Sequence, residues 1–226
     1  MSGWNVERLL GSATGHHQRE LLDDGRRHVW VFEVERPALV LGSVQPDHDV
    51  DDGAAFAVGV EVVRRRSGGG AVLVEPGAIA WIDLVVPRHD ELWHDDVAVA
   101  AEWVGEAWTA ALAAVDRPGG VVHRGGLVRT ALAPVVCFAG TGPGEVLVDG
   151  RKVVGVSQRR TRAGARFQCS VPLAWDAERH GVLLAPGIAR VQPGVDPVEA
   201  VAELPVLPLE GRTATDVADA LLTNLP

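Results

Sequence analysis

Three arginines run straight into three glycines in Arg64-Arg65-Arg66-Ser67-Gly68-Gly69-Gly70-Ala71-Val72, and no other stretch constrains this chain as much. A triple glycine strips every β-carbon from the inner wall of a turn, so a ligand can approach the main chain closely. Successive N–H groups in such a turn form a concave anion site. The preceding Val60-Glu61-Val62-Val63 reads as a strand. The arginines then stand at its end, where guanidinium groups clamp phosphate or carboxylate. Glycine patterns alone are weak signals, and a flexible surface loop with a charged rim has the same composition. The rest of the chain has to decide between the two.

The 226 residues are enough for one large domain, expected to span 1–226. A formal net charge of −9 argues against non-specific binding to nucleic acid or to an anionic membrane. No apolar run approaches bilayer length. Met1 to Ala13 lacks a basic segment followed by an apolar core, so no secretory signal is read and a cytoplasmic location is expected. Two cysteines, Cys137 and Cys169, make no disulfide framework and read as free thiols. Of 21 lysines and arginines, Lys152 is the single lysine. A GC-rich gene explains why lysine is rare but not why one position kept it. An ammonium is a compact point charge and a guanidinium a wide planar fork, so Lys152 is a candidate for a site that an arginine does not fit.

Arg27 to Val34 alternates, with Val29, Val31 and Glu33 on one face and Trp30, Phe32 and Val34 on the other, which predicts a strand. Ala38 to Leu41 predicts a second, ended by Gly42. Val6 to Ala13 reads as a short helix, and Ala54 to Val58 as another that leads into a strand over Val60 to Arg65. Beyond the glycines, Ala71 to Val74 and Ile79 to Val86 are apolar and β-branched. Glu75-Pro76-Gly77 between them reads as a turn, so the two runs are expected to be neighbouring strands. Asp95 to Val115 is the clearest helix. Acids stand at its start, and Val97, Ala101, Val104, Trp108, Ala111 and Val115 form one apolar stripe. Strands are predicted over Val121–His123, Val135–Phe138, Glu145–Val148, Val153–Ser157 and Phe167–Val171, with a hairpin at Asp149-Gly150. Pro186 to Pro208 reads as extended connection, and Thr213 to Leu222 as a closing helix behind a threonine cap. The mixture predicts an α+β fold, a mixed β-sheet flanked by helices.

Several constellations lead nowhere. Gly140-Thr141-Gly142-Pro143-Gly144 lacks the helix a dinucleotide loop needs, because Glu145 opens a strand. His89 and His94 do not have metalloprotease spacing and read as solvated surface, and His16-His17 is uninformative. More telling is Asp149-Gly150-Arg151-Lys152-Val153-Val154-Gly155-Val156-Ser157-Gln158, in which the lone lysine starts a strand directly after a tight turn. Gly155 in that strand points to a close neighbour, either backbone or ligand.

Three motifs together resemble the lipoate–protein ligase and octanoyltransferase family, relatives of the biotin ligases. Leu41-Gly42-Ser43-Val44-Gln45 is similar to its LGxxQ element, residues 64–72 to its RRxSGGGAV signature, and residues 149–158 to its (D/N)GKKIxGxAQ element. The resemblance implies a biotin-ligase and class II synthetase style of fold. It also implies acyl chemistry: lipoate or octanoate is joined to AMP using ATP and Mg²⁺, then passed to a lysine of a lipoyl domain. The acceptors implied are the lipoyl domains of 2-oxoacid dehydrogenase complexes or the glycine cleavage H protein. Arg65, Ser67, Gly68, Gly69, Gly70, Ala71, Val72 and Leu73 are then expected to line the acyl–phosphate region, with Gly155 and Ser157 opposite them. Lys152 is expected at the acyl carbonyl, where charge builds in the transition state. Glu145 matches an acidic position that binds Mg²⁺ in some members. No accessory C-terminal domain of the kind some ligases append is visible, and a separate subunit is expected in its place.

The chain also departs from the pattern. Val74, Glu75 and Ala78 stand where the family has His-Asp and then Asn, and Phe167-Gln168-Cys169-Ser170 replaces its HHGT element. Two alternatives follow. Cys137, in Val136-Cys137-Phe138-Ala139, resembles the nucleophile of an octanoyltransferase branch that needs no ATP and carries the acyl group as a thioester. The other is a binding module that kept an acyl–AMP pocket and lost catalysis.

Overall fold

Main-chain hydrogen bonding sorts the strands into two sheets. The computed structural model describes residues 3–226; Met1 and Ser2, at the start of the N-terminal stretch read above, lie outside it. The chain begins β1 (Trp4–Gly11), α1 (Ala13–Gln18), β2 (Arg27–Val34), β3 (Ala38–Leu41), α2 (Asp52–Ala57), β4 (Glu61–Arg64), β5 (Val72–Val74) and β6 (Ile79–Pro87). It continues α3 (Val97–Ala100), α4 (Glu102–Ala114), β7 (Val121–Val122), β8 (Val146–Val148), β9 (Arg151–Arg160) and β10 (Gly164–Pro172). The last elements are α5 (Ala177–Leu183), α6 (Ala185–Val191), α7 (Pro197–Ala202) and α8 (Ala214–Thr223). The large sheet has the order β1-β2-β6-β10-β9-β8-β7 and the small one β4-β3-β5. In the large sheet β1 and β2 run parallel and every other neighbouring pair antiparallel.

Period-two alternation explains how the layers stack. Val29, Val31, Ile82 and Leu84 face α4 and α8, packing on Trp108, Leu112 and Leu221. Trp30, Phe32, Trp81 and Val85 face the other way, onto Val40, Val63 and Val74 of the small sheet. The far side of the small sheet, Leu39, Leu41 and Leu73, is covered by Leu183, Ile188 and Val201 of the late helices. The order is helices, large sheet, small sheet, helices, an α+β architecture with a mixed sheet flanked by helices. Each large apolar side chain fully buried this way contributes about 1.5–3 kcal/mol.

One acid interrupts the middle layer. Asp83 is fully buried between the sheets, accepts from the Trp81 indole at 2.8 Å and pairs with the Arg166 guanidinium at 2.5 Å. Arg166 also donates to the carbonyls of His16 and Arg19, at 2.8 Å each.

Several expectations fail for identifiable reasons. Val6 to Ala13 is not a helix: β1 is an edge strand with its outer flank exposed, and the helix starts only after the Ser12 side chain caps it. Residues 71–74 and 79–86 are not neighbours, because Glu75-Pro76-Gly77 carries the chain from the small sheet to the large one. The long helix breaks at Ala101 into α3 and α4. Residues 135–138 form no strand; a single bridge joins Val136 to Ala71, and a 3₁₀ turn over Cys137–Ala139 follows. Residues 186–208 are extended only at their end, where Val206 bridges to Lys152; most of the rest is helical. Pro186 and Pro197 sit in the first turns of α6 and α7, where a missing N–H costs nothing, and Asp196 caps the second. The Asp149-Gly150 hairpin and the Thr213-capped closing helix are as expected, the helix with a full capping box.

Candidate active site

The three arginines at the end of β4 hold three different things. Arg64 reaches back to the carbonyls of Gly42 and Gln45 and pairs with Asp47. Arg66 points to the surface, where it pairs with Glu20. Arg65 turns inward, is 4% exposed, and gathers the carbonyls of Val40, Gly68 and Gly70 at 3.1, 2.8 and 2.8 Å. It thereby fixes the curvature of the glycine turn from inside.

The glycines divide their work too. A β-carbon on Gly70 would stand 2.5 Å from the Val136 nitrogen, so this residue is what lets the turn lie against residues 135–136. Gly69 holds φ at +100°, and Gly68 faces open space. Among the described residues no main-chain acceptor takes the N–H of Gly68, Gly69 or Gly70. Gln45, from the LGxxQ element, braces the contact by donating to the Val135 carbonyl at 3.1 Å.

Cys137 joins the turn to Lys152. Its N–H donates to the Ala71 carbonyl at 2.8 Å, and its own carbonyl accepts from the Lys152 ammonium at 3.2 Å. Lys152 is 2% exposed, and its other two donors go to the Gly140 carbonyl at 3.0 Å and to Glu145 Oε2 at 2.7 Å. The ammonium lies 4.9 Å from the centre of the Phe138 ring. Gly155, three residues along β9, leaves room for the stem: a β-carbon there would be 3.5 Å from Lys152 Cε. A guanidinium has no comparable point geometry to offer these three oxygens. Glu145 is engaged in turn by the main-chain N–H groups of Gly142 and Val156, at 2.8 and 3.1 Å. Its carboxylate is thus committed to the lysine and to the backbone.

A narrow cavity of about 40 Å³ opens beside this junction, lined by Arg65, Val72, Cys137, Gly155 and Ser157 among others. The Cys137 side chain is partly exposed. Burial pulls the Arg65 pKa below its ordinary value, and the neighbouring Cys137 opposes that shift. Ser67 is buried beside the cavity and meets its lining residue Ser157 at 3.0 Å. Ala71 and Leu73 turn away into the core under the late helices, and Leu73 borders a second small cavity instead. Cys169 reaches the first cavity but is fully buried, which pushes its thiol pKa far up and leaves it inert.

His17, read from the sequence as uninformative, stands here, and so does Gln168 from the run that replaces the HHGT element. His17 lines the cavity, packs at a tilt of 35° against Trp81 with 4.4 Å between ring centres, and meets Gln168 through Nδ1 at 3.2 Å. Burial, with help from Arg65 and Arg166, lowers its pKa to about 3. Glu75, in the place of a family aspartate, pairs with Arg179 at 2.7 Å. His89 and His94 are exposed and distant, as expected.

With this geometry in view, the comparison with known proteins is decisive at the level of family. The model of the lipoyl protein ligase A/B catalytic domain matches residues 13–225. The chain belongs to that family. The fold is similar to lipoate-protein ligase A solved with bound ATP, with a TM-score of 0.72, 15% identity, and coverage of 99% of this chain and 84% of that one. It is also similar to a putative lipoate protein ligase of Thermoplasma acidophilum with bound lipoic acid, with a TM-score of 0.67, 14% identity, and coverage of 93% and 76%. A third likeness is to the archaeal lipoylation system of the same organism, described as a bipartite lipoate protein ligase and its E2 lipoyl domain. There the TM-score is 0.69 at 14% identity, over 97% and 80% of the two chains. At such identities the likeness is one of fold. No curated protein matches the chain in sequence. No helix among the described residues is long and apolar enough to cross a membrane.

Proposed function

We propose that this protein transfers a lipoyl-type medium-chain acyl group, octanoyl or lipoyl, to a lysine of a lipoyl domain, with Cys137 carrying the acyl group as a thioester. The observation that carries this reading is the setting of the Cys137 thiol. It is partly exposed, belongs to the wall of the cavity that Arg65, Gly155 and Ser157 also line, and has a buried guanidinium nearby. In the first step the sulfur attacks the carbonyl of an acyl thioester donor. A new C–S bond forms, the old one breaks, and the donor thiol leaves with the proton that Cys137 gave up. In the second step the acceptor amine attacks, an amide C–N bond forms and the Cys137 C–S bond breaks. The proton released by the amine restores the thiol. Arg65 gives the charge that develops on sulfur a fixed partner. Lys152 anchors the main chain at Cys137 and at Gly140 and places positive charge near the acyl carbonyl.

Val72, Val74 and Trp81 supply the apolar wall for the chain. Each methylene buried there is worth about 0.8 kcal/mol. At about 40 Å³ the cavity has room for a few waters, so an eight-carbon chain must widen it on entry. The acceptor is expected to be a lipoyl domain of a 2-oxoacid dehydrogenase complex or the glycine cleavage H protein.

A second reading is the ATP-dependent ligase. The unpartnered glycine N–H groups favour it, since they suit a phosphate. Mg²⁺ does not fit at Glu145 as the side chains stand. Its oxygens already serve Lys152 and two main-chain donors, and no group of three His, Cys, Asp or Glu side chains among the described residues could hold a metal.

The test is acylation of a purified lipoyl domain by an octanoyl thioester donor with no nucleotide present, and separately by octanoate with ATP. The thioester route should run, and Cys137→Ala should stop it. Acylation that requires ATP and survives Cys137→Ala would establish the ligase instead. Binding of octanoate with no acceptor modified would mark a binding module.

A further inference from the structure

A directional hydrogen-bond chain runs across the cavity. Gln168 and Ser157 are cross-strand partners on β10 and β9, so register alone brings both to the same place. The Gln168 oxygen can only accept, so the Ser67 hydroxyl, 2.8 Å away, donates to it. Ser67 is then free to accept from Ser157 at 3.0 Å. In this orientation the amide nitrogen, which can only donate, points at His17 Nδ1 from 3.2 Å. Nδ1 is therefore an acceptor. The ring is neutral across the physiological range, since its pKa is lowered to about 3 by burial and by the Arg65, Arg166 and His16 charges. A neutral imidazole carries one proton, which here must sit on Nε2. The ring packs against Trp81, 4.4 Å between centres and tilted by 35°.

Such a ring can be neither general base nor general acid: one nitrogen is blocked and the other already bears its proton. It is a non-titrating donor built into the wall of the cavity that Cys137 opens into. Resting on the thioester reading above, we infer that His17 is a catalytic residue, donating from Nε2 to the acyl oxygen as negative charge develops there in both half-reactions. Gln168 and Ser67 are its positioning residues. His17 moves no proton. As the C–N bond forms and the C–S bond breaks, the amine proton goes to the departing sulfur, and the imidazole stabilises the oxyanion between the two events.

The experiment pairs ¹⁵N NMR of the histidine side chains with single-turnover rates, measured in the full-length protein with an octanoyl thioester donor and a lipoyl domain. The wild-type His17 signal should report the Nε2–H tautomer at neutral pH. His17→Leu should slow both acylation of Cys137 and transfer from it by about 10²-fold, with octanoate affinity nearly unchanged. His17→Gln, which restores a donor, should recover about tenfold of that loss. Gln168→Glu changes almost no volume but must accept from Nδ1–H, so it should move the proton to Nδ1 and be as slow as His17→Leu. An Nδ1–H or doubly protonated ring in the wild type overturns the proposal, as does a Gln168→Glu protein with the flipped tautomer and the wild-type rate. Both readouts survive if His17→Leu fails to fold. A wild-type protein that forms no thioester at all, yet shows the Nε2–H tautomer, would sink the thioester reading and with it the role of His17, whereas the NMR result alone tests the hydrogen-bond chain.

Discussion

Asp83–Arg166 and Glu145–Lys152 are the same kind of object in different surroundings. Each is a buried acid and base, with both partners at 6% exposure or less. Asp83 and Arg166 lie deep between the two sheets, ringed by Trp30, Phe32 and Trp81, and the guanidinium ties α1 to the sheet through two carbonyls. Glu145 and Lys152 are buried behind the cavity-lining residues Cys137 and Gly155, and their other partners are the main chain around Cys137 and Gly140. The first pair fastens elements that would pack anyway. The second positions a loop that has almost no regular structure to hold it. An ion pair of the first kind can be exchanged for apolar bulk with little loss, and one of the second kind cannot.

The largest expected effect separates the pairs by activity. Lys152→Ala should lower acyl transfer by about 10²–10³-fold, because it removes positive charge near the acyl carbonyl and frees the Cys137 segment. Lys152→Arg should not rescue it. Asp83→Leu combined with Arg166→Met should cost the folded fraction far less activity than Lys152→Ala, only through the loss of the Arg166 contacts that seat α1 and His17, and a double variant as inactive as Lys152→Ala would erase the distinction.

Stability should separate them next. Asp83→Ala alone strands a buried guanidinium and should cost about 3–5 kcal/mol in a denaturant titration, more than the double replacement costs. Acid should expose a slower erosion. His17 and His180 are held neutral by burial, at about 3 and about 4, below the ordinary histidine value of 6.5. An unfolded chain therefore takes up their protons first. Their contribution is complete above pH 6.5 and declines as pH falls through the window down to those lowered values, by about 1.4 kcal/mol per unit for each. Glu75, raised by burial, works in the opposite sense from 4.5 upward. His180→Phe should flatten part of the acid limb, and an unchanged slope would show that His180 is not buried in solution.

The smallest effect should come from Gly155→Ala. Its β-carbon would stand 3.1 Å from Ser170 Oγ, so the neighbour has to give by a few tenths of an ångström. Stability should change by about 1 kcal/mol or less, while kcat/KM for octanoyl transfer falls because the residue lines the cavity.

What could be read from the sequence follows the same division. The glycine turn, the lone lysine and the hairpin before it were legible because each demands a special residue: no β-carbon at Gly70, a point charge at Lys152, positive φ at Asp149 and Gly150. The α+β class and the family resemblance rested on these and hold in the structure and in the family match. What stayed hidden depends on long-range partners. His17 and Gln168 are 151 positions apart; no local pattern marks His17, and Gln168 shows only as a departure from the HHGT element. The 135–138 run looks like a strand in composition, yet finds only Ala71 to pair with. The prolines at 186 and 197 read as breakers because their place in a first turn shows only once the helix ends are known.

The central claim, that Cys137 carries the acyl group, is tested most directly by the intact mass of the protein after incubation with an octanoyl thioester in the absence of nucleotide. The account predicts one octanoyl adduct, located on Cys137, released by hydroxylamine and missing from Cys137→Ala. An unmodified protein that acylates a lipoyl domain only when given octanoate and ATP would contradict it.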